Sequence, residues 1–170
     1  MKLSGFDVRS LAPSDHAIIA DLFASDPNHS ALVQSGVLAP DKAHAIFTDL
    51  PLGKALHDKF VWGVFDDGAV VAVIDLIRDY PTPDTWVLGL LFVTPQLRNE
   101  GLGARMIDAV CRHAAEEGGA KLRLAVTHKN TDAQRFYVRA GFSNAGTRDR
   151  READGRVTKL HVMDKALTRA

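Results

Sequence analysis

An eight-residue apolar run, Trp86–Val93 (WVLGLLFV), sets the strongest limit on how this chain can fold. The run has no polar residue that could face water, so it predicts a strand that is covered on both faces. It is far too short to cross a membrane as a helix. The fold must therefore place this strand in the centre of a sheet.

Strand and helix patterns alternate on both sides of this central strand. Asp67-Gly68 suits the two positive φ angles of a tight hairpin turn between two apolar strands. Thr131 and Gln134 have the spacing of a capping box, which predicts a short helix with Thr131 as its N-cap residue. The predicted elements are a strand at 6–9, helices from 13 and from 40, strands at 59–65, 69–77 and 86–93, a helix at 101–117, a strand at 121–126, a helix from 131 and a final hairpin. This order predicts an α/β (α+β) fold with a mixed sheet, in a single domain over residues 1–170.

The composition excludes several classes of protein. Lysine and arginine (21 together) balance aspartate and glutamate (21), which argues against a surface committed to nucleic acid or to anionic lipid. The single cysteine, Cys111, excludes an internal disulfide and a multi-thiolate metal site, and we expect it to be a small core residue. The first ten residues lack the apolar core of a signal peptide, which predicts a cytoplasmic protein.

The turn LRNEGLGARM (residues 97–106) follows the central strand and leads into a helix. A helix N-terminus offers free N–H groups, and Gly101 and Gly103 remove side chains that would keep a phosphate away from them. Arg98, and also Arg105, could add charge-assisted hydrogen bonds. The turn lacks the third glycine of a dinucleotide-binding motif, where Met106 stands instead, and no Gly-Lys-Ser/Thr of a nucleotide P-loop follows. A glycine turn without a ligand remains the alternative.

Two segments together, LLFVTPQLRNEGLGARM and NTDAQRFYVRAGF, resemble the GNAT superfamily of acyl-CoA-dependent N-acyltransferases. The residues that match the family's pattern are Leu91, Val93, Pro95, Arg98, Gly101, Gly103, Asn130, Ala133, Tyr137, Gly141 and Phe142. The resemblance implies a mostly antiparallel central sheet flanked by about four helices. It also implies a V-shaped splay between the strand ending near Val93 and the strand ending near Val126.

The resemblance implies a binding mode for acetyl-CoA. The pyrophosphate would bind main-chain N–H groups of the glycine turn, namely those of Asn99, Gly101, Leu102, Gly103 and Ala104, with Arg98 beside them. The pantetheine arm would pair with Phe92 and Val93, where an N–H could stabilise the oxyanion. Asn130 would bind pantetheine or fix the turn, and Tyr137 would be the general acid. From spacing alone, Asn130 is equally a helix-entry residue and Tyr137 a core aromatic.

The general base is the least predictable residue, because the central strand carries no carboxylate. Asp75 is the leading candidate: it shares a strand face with apolar residues, and partial burial would raise its pKa. A structural carboxylate is the alternative for Asp75. Further candidates are Asp79, Asp84, His29, His57 and His128. We expect the acceptor to contact residues 25–58 and the loop 79–85.

The expected function is transfer of an acetyl group from acetyl-CoA directly to a primary amine of a small molecule or peptide. The alternative is an acyl-CoA-binding sensor or scaffold domain of the same fold, which would bind the thioester without turnover. A nucleotide-dependent oxidoreductase is a remote third reading. The resemblance implies no metal, no nucleic acid and no membrane partner, and it allows a homodimer.

Overall fold

The computed structural model describes residues 1–26, 41–152 and 154–168. These residues form seven strands, β1 Asp7–Ser10, β2 Lys59–Asp66, β3 Ala69–Ile77, β4 Thr85–Val93, β5 Lys121–Thr127, β6 Ser143–Arg151 and β7 Val157–Ala166. They also form four helices, α1 His16–Ala24, α2 Asp41–Thr48, α3 Leu102–Glu116 and α4 Thr131–Arg139. In this described part of the chain, no helix is long and apolar enough to span a membrane.

The seven strands make one sheet in the order β1-β2-β3-β4-β5-β7-β6. All neighbouring strands are antiparallel except β4 and β5, which run parallel and are connected through α3. This arrangement confirms the predicted mixed, mostly antiparallel sheet. The predicted hairpin turn is also present, since Asp67 and Gly68 both have positive φ angles, of 44° and 84°.

Helices cover the central strands on both faces. On one face α3 packs Met106, Ile107 and Val110 into the main core, together with Trp86 and Leu122 of the sheet. On the other face α1 and α2 form a second apolar cluster against β2, β3 and β4, with Ile19, Phe23, Ile46, Phe47, Val61, Val73 and Phe92. The prediction that β4 is covered from each side is therefore confirmed, and its residues Val87 and Leu88 are paired with strands on both sides.

A β-bulge interrupts β4 at Gly89. Leu88 pairs with Leu76 of β3 and Leu90 pairs with Asp75, so Gly89 is an extra residue without a partner. Because a strand alternates its side chains between two faces, one extra residue reverses the alternation. Leu88 accordingly packs on the α3 face, whereas Leu90 packs on the α1/α2 face, two positions that would otherwise share a face.

Beyond the bulge, β4 and β5 separate. Their parallel pairing runs from Thr85 opposite Lys121 to Leu88 opposite Leu124 and stops there. The remainder of β4 stays paired with β3, and the remainder of β5 stays paired with β7. The two strand ends therefore open into a V, as the family resemblance implies.

The start of α4 differs from the sequence prediction. Asn130, not Thr131, is the N-cap residue, and its Oδ1 accepts a hydrogen bond of 3.1 Å from the N–H of Ala133. Gln134 does not close a capping box; its Nε2 donates to the carbonyls of Thr127 and His128, at 3.0 Å each. The capping-box prediction is therefore wrong, and Gln134 instead fastens α4 to the end of β5.

Candidate active site

The V between β4 and β5 opens into a cleft with a volume of about 1320 Å³. One end is bounded by the glycine turn and the N-terminus of α3, and α4 closes its side. The other end lies under α1 and α2, where Phe23, Ile46 and Asp49 line the wall. The cleft thus passes through the sheet from the glycine turn to the α1/α2 face.

The glycine turn presents a row of main-chain N–H groups to the cleft. Asn99 and Gly101 have left-handed φ angles of 63° and 82°, and Gly101 is the residue that caps α3. The first four N–H groups of a helix have no carbonyl partner within it, so those at 101–104 remain available. Of the predicted cradle residues, Asn99, Gly101, Gly103 and Ala104 line the cleft, whereas Leu102 buries its side chain in the core.

Glycine is favoured at the two positions of this turn for different structural reasons. At Gly101 an added Cβ would meet no atom within 4 Å, so the left-handed backbone is what favours glycine there. At Gly103 a Cβ would approach the Phe136 ring of α4 to 3.3 Å. Gly103 therefore lets α3 and α4 come together beside the cleft, a packing role that the G-x-G pattern does not reveal.

The two arginines of the turn are held by protein groups. Arg98 donates from Nε to the carbonyl of Val93 at 2.9 Å, and its Nη2 lies 2.6 Å from Oδ2 of Asp26. Arg98 thus fastens the end of β4 to the end of α1 while still lining the cleft. Arg105 does not line the cleft: its guanidinium donates to the carbonyl of Ser4 and lies over the Phe6 ring. The expectation that Arg105 contacts the ligand is therefore not supported.

Tyr137 and Asn130 both line the cleft on its α4 side. The Tyr137 ring is half-buried and makes edge contacts with Phe136 and Phe142, at centroid distances of 5.0 and 5.5 Å. Burial raises the pKa of its hydroxyl above the ordinary tyrosine value of 10.0, so the phenol is protonated at neutral pH, as tyrosine ordinarily is. Asn130 uses Oδ1 to cap α4, so the helix-entry role is present and only its amide nitrogen is left for a ligand.

Asp75 lies under the cleft floor next to the bulge. It is 9% exposed, and Lys59 Nζ approaches its Oδ1 at 2.9 Å. Burial raises the pKa of the Asp75 carboxyl, and the charge of Lys59 opposes that rise. The contact is an ion pair between two largely buried side chains, and it engages Oδ1. Asp75 is therefore buried, as predicted, but also paired.

The bulge residue makes the space that the Asp75 carboxylate occupies. A Cβ at Gly89 would lie 2.7 Å from Oδ2 of Asp75, closer than real side-chain contacts. No hydrogen bond from the described residues reaches Oδ2. Asp75 and Gly89 both line the cleft, so this oxygen is the one that can receive a proton from a bound molecule.

The other predicted base candidates do not line the cleft. The ring of His128 pairs with His161 on the surface, with 2.9 Å between Nδ1 and Nε2, and His57 is exposed beside Asp58. Asp79 accepts from the N–H of Asp84 within the β3–β4 loop, which lies at the paired end of β4 and β5. Loop 79–85, which we expected to border the acceptor, therefore does not line this cleft. His29 lies outside the described residues.

Several cleft residues were not predicted. Gly89 was visible as the glycine inside the apolar run Trp86–Val93, a known sign of a bulge. Asp26 and Asp49 gave no signal, and neither did Lys59 as the partner of Asp75, because their positions depend on which strands and helices become neighbours. Arg135, Arg139 and Arg150 add positive charge along the α4 and β6 walls. Within the described ranges, no group of three potential metal ligands occurs.

Comparison with known proteins identifies the family that this geometry belongs to. The family model described as "Acetyltransferase (GNAT) family" matches residues 21–142, which include the glycine turn, the V and α4. The chain belongs to the GNAT acetyltransferase family. This GNAT chain is 37% identical over 83 residues to an uncharacterized N-acetyltransferase of Mycobacterium tuberculosis. That match covers 48% of this chain and 51% of the relative, so it spans about half the length of each.

Solved structures share the fold of this GNAT domain across nearly its whole length. An acetyltransferase from Thermus thermophilus has a TM-score of 0.73 at 18% identity, covering 98% of this chain and 100% of that one. The ribosomal-protein-S18-alanine N-acetyltransferase from Escherichia coli has a TM-score of 0.69 at 18% identity, covering 97% of this chain and 96% of that one. At such identities the likeness shows the fold, which agrees with the seven-stranded sheet and its flanking helices.

Proposed function

We propose that this GNAT domain is an N-acetyltransferase that moves an acetyl group from acetyl-CoA directly to a primary amine of a small molecule or peptide. The observation that carries the proposal is the cleft itself. It has an anion-binding turn at one end, a protonated tyrosine at its side and a buried carboxylate at the other end. These three features lie on one path through the sheet, in the order that acyl transfer requires.

The glycine-turn end fits the diphosphate of acetyl-CoA. Its N–H groups converge without a side chain at Gly101, and the helix dipole of α3 favours negative charge there. The edge of β4 beyond Leu88 has no strand partner on the β5 side, so the pantetheine amides can pair with its main chain near Phe92 and Val93. An N–H on the same edge would stabilise the oxyanion that forms at the thioester carbonyl.

The reaction then needs a base and an acid on opposite sides of the thioester. Oδ2 of Asp75 takes a proton from the acceptor ammonium, and the neutral nitrogen attacks the carbonyl carbon. The attacking nitrogen, now bonded to the carbonyl carbon, releases a second proton to solvent. The carbon–sulfur bond breaks, and the Tyr137 hydroxyl gives its proton to the departing sulfur. The products are the amide and free thiol, and the proton held by Asp75 returns to Tyr137 through solvent.

The decisive experiment measures thiol release from acetyl-CoA in the presence of a panel of amines. Tyr137→Phe should lower kcat about 100-fold or more, the usual contribution of a general acid, with little change in acetyl-CoA affinity. Tyr80→Phe is the matched control, because Tyr80 is the only other tyrosine and does not line the cleft. The control should retain wild-type kcat.

Calorimetry with acetyl-CoA distinguishes the alternative of a sensor or scaffold domain. Binding without thiol release across the whole panel would support that alternative and overturn the proposed transfer. Absence of binding would overturn both readings, because each requires the diphosphate to bind residues 99–104. A cytoplasmic location and a homodimer remain predictions of the same proposal.

A further inference from the structure

Lys59 is a buried cation that contacts the cleft residue Asp75, and the proposed chemistry does not yet use it. Its side chain is 3% exposed, which is rare for lysine and costly unless the charge is paired. The ammonium has two partners: Oδ1 of Asp75 at 2.9 Å and the carbonyl of Asp49 at 3.1 Å. It therefore joins the end of α2, on the acceptor side, to the carboxylate on β3.

This pairing divides the two oxygens of Asp75 between two tasks. Lys59 is bound to Oδ1, whereas Oδ2 points into the space left by Gly89. A carboxylate held at one oxygen cannot rotate freely, so the other oxygen keeps a constant direction. The bulge at Gly89 leaves space for Oδ2, and Lys59 holds Oδ1, so both determine the orientation of the Asp75 carboxylate.

Among the described residues, Lys59 and Asp49 are the charged groups that affect the Asp75 carboxyl, so the effect of Lys59 can be isolated. Asp49, just after α2, opposes Lys59 by raising the pKa of the Asp75 carboxyl. On β4, the adjacent residues Gly89 and Leu90 are uncharged. On α1, the residue that lines the same cleft wall is Phe23, which is also uncharged. Without Lys59, burial and Asp49 would together favour the protonated carboxyl, which cannot accept a proton.

We propose that Lys59 is a positioning residue for acetyl transfer: its ion pair with Oδ1 of Asp75 orients the carboxylate so that Oδ2 faces the acceptor amine. This inference rests on the proposed function, because it assigns the proton acceptor of that reaction. It adds a residue on β2, outside the glycine turn and α4, to the set that the chemistry requires.

The test is the pH dependence of kcat/KM for acetyl transfer to the best amine of the panel. In wild type, rate should rise with pH as Asp75 ionises. Lys59→Met should move this acidic limb upward by about one pH unit or more, the typical effect of losing an opposite charge at contact distance. Lys59→Arg keeps the charge and should return the limb towards its wild-type position.

The chain offers a matched control for loss of a buried lysine. Lys54 Nζ lies 3.2 Å from Oδ2 of Asp58, and these side chains are 14% and 12% exposed, but neither residue lines the cleft. Lys54→Met should leave the acidic limb unmoved. If Lys59→Met does not shift the acidic limb of the pH profile, or if Lys54→Met shifts it equally, the inference is overturned.

A second measurement reads Asp75 without turnover. Carboxyl-¹³C aspartate labelling, with the Asp75 signal assigned by its loss in Asp75→Asn, reports the titration of this group directly. The Asp75 signal should titrate at higher pH in Lys59→Met, or in Lys59→Gln if the methionine variant does not fold; an unchanged titration overturns the inference. Wild-type protein that is inactive with every amine overturns the proposed function instead, and the two failures are therefore distinguishable.

Discussion

The two ends of the cleft are built in different ways. The glycine-turn end is made of consecutive residues, 99–104, and offers main-chain N–H groups. The Asp75 end is assembled from side chains on β2 and β3 and from a bulge on β4. A site built from main chain depends on local backbone shape, whereas a site built across strands depends on register and on charge balance. The two ends should therefore respond differently to substitution.

The largest effect is expected at the Asp75 end. Asp75→Asn removes the proton acceptor and should lower kcat/KM by about 100- to 10,000-fold, while acetyl-CoA affinity stays near the wild-type value. Asp58→Asn is the control, since Asp58 is also buried and paired with a lysine but lies away from the cleft. Steady-state kinetics and calorimetry check both variants. A full rate in Asp75→Asn would remove Asp75 from the mechanism.

A smaller effect is expected at the glycine turn, where substitution should weaken the binding of acetyl-CoA. Gly101→Ala places a Cβ on a left-handed residue, which costs about 1–2 kcal/mol, so the turn should shift and bind acetyl-CoA about 10-fold more weakly. Gly155 is an unusually close control: it has the same φ of 82° and open space around it, but lies in the β6–β7 turn. Gly155→Ala should lose similar stability without losing affinity. Equal affinities in the two variants would argue against the cradle.

The smallest effect tests a pair that also joins two strands but lies outside the cleft. Arg123 of β5 donates from Nε and Nη2 to the two carboxylate oxygens of Asp164 on β7, at 2.7 Å each. The hydrogen bonds from Arg123 lower the pKa of Asp164. The stability from this pair is therefore present above the ordinary carboxyl pKa of 3.8 and is lost as pH falls through the lower folded-state value.

Arg123→Gln should lower the free energy of unfolding by about 1 kcal/mol at neutral pH and leave kcat/KM unchanged. Urea unfolding at neutral pH and at decreasing acid pH checks this, because the difference from wild type should shrink below pH 3.8. A difference that persisted in acid would mean that the packing of Arg123, and not its charge, supports the sheet. A loss of activity would mean that cross-strand pairs in general influence the cleft.

The same contrast explains how much could be predicted from the sequence. The β2–β3 hairpin, α3 and the glycine turn follow from residues that are near neighbours in the chain, such as Asp67-Gly68 and Gly101. The buried state of Asp75 followed from its place in an apolar strand. Its pairing with Lys59 could not be predicted, because the two residues are brought together by the β2–β3 register, and no periodicity marks a lysine at a strand start.

Arg98 shows a second limit on what can be predicted from the sequence. Its position before the glycine turn correctly indicates a cleft residue, but its guanidinium is engaged by Val93 and Asp26. Sequence spacing can place a cation near an expected anion, yet it gives no account of the protein acceptors that compete for the same donors. The cleft wall under α1 and α2 could be predicted least, because no local sequence pattern indicates how these helices pack against the sheet.

The bulge at Gly89 has a consequence for how this domain can diversify. Because the strand changes sides there, position 90 faces the α1/α2 layer, whereas positions 88 and 91 belong to the core under α3. Exchanging Leu90 for a smaller or polar residue would therefore reshape the α1/α2 side of the cleft and leave the packing of Leu88 and Leu91 under α3 in place. One additional glycine thus allows the two faces of a single strand to vary separately.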